Sequence, residues 1–349
     1  MRGACIIGAM TDVHSDLALT PQDRALLLVQ QVRSGDRRAL AKAVTLIESE
    51  RLADQAPAAA FLEHALAIPS ASIRLGLSGA PGVGKSTFIE AFGTFLTGLG
   101  KRVAVLAVDP SSQRSGGSIL GDKTRMPDLA RDPRAFIRPS PAGETLGGVA
   151  RRTREALAAV ELAGFDVVLV ETVGVGQSET AVAGMTDMFI LLMAPGGGDD
   201  LQGIKRGIME LADLLIVTKG DGDLLPAANR AVADFTSALH LMRLKWPGWT
   251  VPVARVSAQE RTGIAQVWAQ VESFAALQQN SGAWAQNRAA QRLDWFWAEL
   301  RSRVMAAFTD NPAARAMLPG LEAKVRSGTL SPSLAAEQLF AAIAPFSRP

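Results

Sequence analysis

Residues Gly79-Ala80-Pro81-Gly82-Val83-Gly84-Lys85-Ser86 fit the spacing G-x-x-x-x-G-K-[ST] at every defined position, between an apolar run and a helical stretch. Glycines at these places let backbone N–H groups turn inward around phosphate oxygens at a helix N-terminus. On that reading Lys85 reaches the β- and γ-phosphates, Ser86 ligates Mg²⁺, and Thr87 extends the same first turn. Acids close two neighbouring apolar runs: Asp109 follows VAVLAV, and Glu171 ends DVVLVE shortly before Gly174. In a parallel sheet such ends face the ligand crevice. Glu171 or Asp109 can therefore hold water on Mg²⁺, and the Gly174 N–H can meet the γ-phosphate. Lys85, Asp109 and Glu171 are the candidate catalytic residues. The pattern implies a nucleoside triphosphate without saying which base.

The base is addressed by LLIVTKGDGD, residues 214–223. Four apolar residues run into Thr218-Lys219-Gly220-Asp221, which is the guanine-reading N-K-x-D element with Thr in place of Asn. Asp221 supplies the acceptor pair for guanine N1–H and the 2-amino group, donors that adenine does not present. The Lys219 stem can lie over the purine face. Thr218 keeps a hydroxyl but lacks the bidentate reach of an amide. Downstream, Ser257-Ala258 ends the last apolar run, where such proteins give a backbone N–H to guanine O6. Two elements in the correct order favour GTP/GDP over ATP.

The elements that must carry these residues follow from hydrophobic periodicity. Residues 20–68 read as helices, with Thr20 as N-cap, Pro21 at the first position and Asp23 in the first turn. Gly35 ends the first helix and Asp36 opens the next, whose Leu40, Val44 and Ile47 share a face. From 73 to 256 seven apolar runs (73–78, 103–108, 135–139, 166–171, 188–193, 214–218 and 251–256) alternate with helical stretches. Continuous apolar strands between helices predict a mostly parallel sheet covered on both faces. The fold class is therefore α/β, a P-loop NTPase flanked by N-terminal helices and a C-terminal helical arm. The expected divisions are an extension over 1–19, helices over 20–70, the nucleotide domain over 71–275 and the arm over 276–349. In the arm Leu293, Trp297, Leu300, Val304 and Phe308 recur at helical spacing, as a core stripe or a dimer seam does. QVRSGD (31–36) and KVRSGT (324–329) echo each other, which reads as shared helix punctuation rather than a repeat.

Composition narrows the partners. Lys plus Arg (36) against Asp plus Glu (34) leaves +2, a balance that gives no reason to expect nucleic acid or an anionic membrane. The single cysteine, Cys5, excludes a disulfide framework and a cysteine-rich metal site and fits a reducing, cytoplasmic setting. His14, His64 and His240 have no ligand-like spacing. The opening MRGACIIGAM is faintly like a signal peptide but reads better as an extension ahead of Met10.

VDPSS (108–112), GGSILGDKTRM (116–126), ETVGVGQSE (171–179) and APGGGDDLQGIKRG (194–207) together resemble the MeaB/ArgK/MMAA family, over essentially residues 20–340. That family comprises P-loop GTPases associated with adenosylcobalamin-dependent methylmalonyl-CoA mutase. The resemblance implies a homodimer joined through the C-terminal arm that binds Mg·GTP and hydrolyses it slowly alone and faster with the mutase. It further implies a chaperone that gates cobalamin loading and protects the mutase from inactivation. Asp122-Lys123-Thr124-Arg125 match a nucleotide-sensing switch, and Asp199, Asp200, Gln202 and Lys205 a further switch that remodels on mutase binding. Two departures stand out. Ala80 lies where many relatives of the wider dimeric class carry a second lysine, and Val175 where Ras-like proteins carry the water-orienting Gln. Slow turnover without a partner is the expectation, with Gln177 as the only nearby substitute. The alternatives are a nickel metallochaperone-type GTPase, for which the Cys/His ligands are missing, and an ATP-dependent kinase of a protein or transport component.

Overall fold

The computed structural model describes residues 20–49, 51–108, 125–139, 146–172, 178–196 and 206–342. In chain order the elements are α1 (Pro21–Arg33), α2 (Arg37–Glu48), α3 (Leu52–Leu66), β1 (Ile73–Gly79), α4 (Lys85–Gly98), β2 (Val103–Val108), α5 (Pro127–Arg131) and β3 (Ala135–Arg138). There follow α6 (Leu146–Leu162), β4 (Val167–Thr172), α7 (Ser178–Ala183), β5 (Met188–Met193), α8 (Arg206–Met209) and β6 (Leu214–Val217). The chain continues through α9 (Leu225–His240), β7 (Val253–Arg255), α10 (Ile264–Asn280), α11 (Ala283–Thr309), α12 (Pro312–Arg326) and α13 (Pro332–Ala342).

The seven strands form one parallel sheet in the order β3-β2-β4-β1-β5-β6-β7. Crossovers from β1 and β2 run towards β3, and all later ones run the other way. Because such crossovers are right-handed, α4 and α5 cover one face and α6, α7 and α9 the other. β1 thus sends its connection to the face opposite that used by its neighbours β4 and β5, which opens a crevice at their carboxyl ends. The loop of residues 79–84 leaves β1 at that crevice.

Three aspartates fix the opposite end of the sheet. Each lies one residue ahead of a strand and exchanges two hydrogen bonds with the neighbouring one. Asp166 N donates to Arg102 O (2.9 Å) while Arg102 N donates to Asp166 Oδ2 (2.7 Å). Asp187 does the same with Arg74 (2.8 and 2.8 Å), and Asp213 with Phe189 (2.8 and 2.8 Å). Asp213 also receives Trp246 Nε1 at 2.7 Å and Lys245 Nζ at 3.0 Å, which ties down the turn before β7.

The N-terminal helices form an outer layer on α6. Ala39, Leu40, Ala43, Val44 and Ile47 of α2 and Phe61 of α3 join the buried cluster that includes α6 and the β2–β4 face. The face expected from Leu40, Val44 and Ile47 is the one buried. Each fully buried side chain of this size contributes about 1.5–3 kcal/mol. The Thr20–Asp23 capping box opens α1, and Asp36 caps α2 through Arg38 N at 2.7 Å. At the two echoing segments Gly35 and Gly328 adopt positive φ (88° and 73°). Asp36 N and Thr329 N reach back to Gln31 O and Lys324 O at 3.1 and 3.0 Å, so both are the same glycine-terminated helix end.

By contacts the chain divides into two compact units, Met1–Ser273 and Phe274–Pro349. The second is helical. Its longest helix, α11, spans 27 residues and buries none of its side chains in this chain. Leu293, Phe296, Trp297, Leu300, Val304 and Met305 all lie exposed. Phe308 of the same stripe packs on Phe340 of α13 with ring centroids 5.0 Å apart. Among the described residues no helix is long and apolar enough to cross a membrane.

Candidate nucleotide site

The loop after β1 is shaped by glycines for distinct reasons. At Gly79 a Cβ would come within 2.5 Å of Leu192 O, so only glycine lets β1 run this close to β5. Gly82 and Gly84 have φ of 77° and 97°, conformations that L side chains rarely adopt. Val83 N closes the turn on Ala80 O at 3.2 Å, and Phe88 N takes Gly84 O at 2.9 Å as α4 begins. Gly84 is the N-cap and has no side chain with which to cap the helix. The first-turn N–H groups of Lys85, Ser86 and Thr87 are thereby kept for an anion, so the loop fits a triphosphate.

Lys85 is 8% exposed, and its Nζ donates to Gly79 O at 2.6 Å and Ala80 O at 3.2 Å. Burial pushes its pKa down, while Glu171 and then Glu179 favour the ammonium. Glu171 lies near the end of β4, opposite Leu77 of β1 and Ala107 of β2, and is buried. Thr172 pins that strand end by donating its hydroxyl to Ser78 Oγ at 2.9 Å. Glu179 has no expected role in the motifs above. It opens α7, is 1% exposed, and completes the acidic surroundings of Lys85.

At the other end of the crevice the loop after β6, the candidate guanine reader, is joined to the phosphate loop. Thr218 is buried, and its hydroxyl donates to Val83 O at 2.6 Å, with Met193 O at 3.0 Å as the second acceptor in reach. The hydroxyl thus braces the two loops from the position where the N-K-x-D element carries Asn. Replacing Thr218 with Val keeps the shape and removes the donor. The expected cost is about 1–3 kcal/mol, because Val83 O stays buried without its bond. Thermal melting with and without GTP, compared with Thr218→Ser, measures it.

Lys219 takes φ of 52°, and its side chain is exposed. Gly220 N donates to Val256 O at 3.0 Å, which aligns the loop with the chain leaving β7. Ser257 is fully buried in a two-bond bridge with Thr262 and donates its hydroxyl to Asp221 Oδ2 in a short contact. Gly263 permits this close return, since a Cβ there would meet Arg255 O at 2.3 Å. Ala258, half-buried, follows in the same turn.

The structure therefore gathers Gly79–Thr87, Glu171, Thr218–Asp221, Ser257 and Ala258 around one end of the sheet. Asp109, Gly174, Asp122, Lys123, Asp199, Asp200, Gln202 and Lys205 lie outside the described residues, as do Val175 and Gln177.

Sheet and crevice together define the class, a P-loop nucleoside triphosphatase with a guanine-type base loop. The sequence model of the family described as "Methylmalonyl Co-A mutase-associated GTPase MeaB" matches residues 40–313. The chain is 46% identical over 351 residues to the Mus musculus protein named "Methylmalonic aciduria type A homolog, mitochondrial", covering 98% of this chain and 85% of that one. It is 46% identical over 313 residues to "GTPase ArgK" of Escherichia coli, covering 89% and 94%. A crystal structure described as a LAO/AO transport system kinase superposes with a TM-score of 0.74 at 38% identity, covering 93% of this chain and 99% of that one. The chain belongs to the MeaB family and is a GTPase.

Proposed function

We propose that this GTPase is the chaperone of an adenosylcobalamin-dependent methylmalonyl-CoA mutase, gating cofactor loading and protecting the mutase from inactivation. The observation that carries this reading is the family match over 40–313, whose description names association with that mutase. Lys85 contacts the β- and γ-phosphates, and the N–H groups of Gly82–Thr87 cradle them. Asp221, oriented by Ser257, reads guanine. Ser86 and Glu171, with Asp109, hold Mg²⁺, which when bound neutralises charge on the phosphates. The residues Asp122 and Lys123, and Asp199, Asp200, Gln202 and Lys205, answer to nucleotide and mutase. The single cysteine supports a cytoplasmic setting. Co-purification with candidate acyl-CoA mutases, with and without a non-hydrolysable GTP analogue, tests the partnership. Failure to bind any such mutase in either state sinks it.

The exposed stripe on α11 supports a homodimer closed through residues 276–349. An apolar face of this length on a helix of ~40 Å is covered in stable proteins. Truncation after about residue 275 is expected to give a monomer that still binds GTP. Sedimentation showing a dimer would refute the arm as the seam. The kinase description of the solved relative keeps one competitor in view, and comparable ATP and GTP affinities by calorimetry would favour it.

A further inference from the structure

Position 220 is the place in Thr218-Lys219-Gly220-Asp221 that the base-reading pattern leaves open, and here it holds a buried glycine. The backbone does not demand one, since Gly220 lies outside the left-handed region that Lys219 occupies. The space does. A Cβ at Gly220 would lie 2.5 Å from Arg255 Cγ and 3.0 Å from Arg255 Cδ, against the middle of that side chain rather than its tip.

The Arg255 stem is fixed at both ends. Its backbone belongs to β7 and pairs with Val217, the last residue of β6. Its Nη1 donates to Asn229 Oδ1 of α9 at 2.6 Å. Ala228, Ala231, Phe235 and Leu239 of α9 are buried in one cluster with Leu215 and Val217 of β6, so the far anchor is itself seated on the sheet. The stem cannot swing away from Gly220 without giving up the Asn229 bond. It fills the place that a side chain at 220 would take.

Three consecutive residues leaving β7 thus touch the candidate base loop. The Arg255 stem lies on Gly220, Val256 O accepts Gly220 N at 3.0 Å, and the Ser257 hydroxyl donates to Asp221 Oδ2. The Thr218 bonds hold only the first residue of that loop. Two hydrogen bonds alone let the 220–221 peptide rock about the line joining them, and a packed stem removes that freedom.

We propose that Arg255 is a positioning residue for guanine selectivity, its stem standing in for a side chain at position 220 and fixing the tilt of the Asp221 carboxylate. This rests on the reading of Asp221 as the base reader and not on the mutase partnership.

The experiment measures guanosine and inosine diphosphate affinities by competition, with single-turnover GTP hydrolysis at saturation and thermal melting alongside. For Arg255→Ala, guanosine diphosphate affinity is expected to fall roughly tenfold. Inosine diphosphate lacks the 2-amino group and should lose less, so the preference narrows. The saturated rate and melting should stay near wild type. Arg255→Met, which keeps an unbranched stem, should recover most of the preference. Gly220→Ala should weaken guanosine diphosphate too, and joining it to Arg255→Ala should cost less than the two losses added, because the clash partner is gone. Wild-type preference in Arg255→Ala overturns the proposal, as do equal losses for both diphosphates or strictly additive losses in the double variant. If Arg255→Ala does not fold, Asn229→Ala, exposed on α9, takes its place, and wild-type preference there overturns it equally. Asp221→Asn in the same assay separates the two readings. If it leaves base preference unchanged, the Asp221 reading falls and this proposal with it. If it changes preference while Arg255→Ala does not, this proposal alone falls.

Discussion

Lys85→Ala is expected to lower kcat/KM for GTP by roughly 10²–10³-fold, the range seen when one preorganised charged donor is removed from a transition state. The size follows from where the amine sits. Lys85 is almost wholly buried, its Nζ lies over Gly79 O and Ala80 O, and Glu171 and Glu179 hold it as an ammonium against the cost of burial. No neighbouring lysine stands in the loop to replace it, since position 80 is alanine. Steady-state kinetics with a melting control measure the effect. A variant with near-wild-type turnover would remove Lys85 from the mechanism. If turnover collapses while the proposed protection of a mutase persists, the nucleotide serves the fold of the complex and hydrolysis does not drive the proposed chaperone role.

Asp221→Asn should exchange the preferred base. In wild type the Ser257 hydroxyl donates to Asp221 Oδ2, which leaves the outer lone pairs for guanine N1–H and the 2-amino group. An amide offers a donor in place of one acceptor. It then opposes the 2-amino group of GTP and suits the 2-oxo group of xanthosine triphosphate. Leaving such buried polar groups mismatched costs roughly 10²-fold or more in discrimination. GTP affinity should drop and that of xanthosine triphosphate should rise, read by competition against labelled GDP. Ser257→Ala is the control: it loosens the carboxylate and weakens GTP without favouring the xanthine base. Unchanged selectivity in Asp221→Asn would assign base reading elsewhere.

Most of the fold was legible because its strands are buried on both faces and so appear as unbroken apolar runs. All seven expected runs are strands, with differences only at their ends. The last narrows to Val253–Arg255 because Pro252 has no N–H and offers only its carbonyl, to Leu215 N at 3.0 Å. The sixth stops at Val217, since Thr218 turns its hydroxyl to Val83 and Lys219 leaves the extended region. The phosphate loop was legible because glycine spacing is itself the geometry. What escaped were groups whose roles depend on distant partners. Thr218 acts on a residue 135 positions away. Nothing local in the sequence marks that distance. Glu179 lay inside a quoted motif, yet its proximity to Lys85 exists only once α7 folds beside β4. The three strand-leading aspartates did leave a trace, an Asp immediately ahead of each apolar run in FDVV, TDMF and ADLL.

Those aspartates give the sheet a division of labour. Sliding any of the three strands by one residue would break both reciprocal bonds and drive a carboxylate into the core, so misaligned pairings are rejected from the rear edge. Register is thereby set at the end away from the nucleotide crevice, while Thr172 and Thr218 tie the strand ends at the crevice itself. The scaffold is a chassis indexed from behind, and exchanging the segment between β2 and α5 for a relative's should leave the pairings of β4, β5 and β6 untouched.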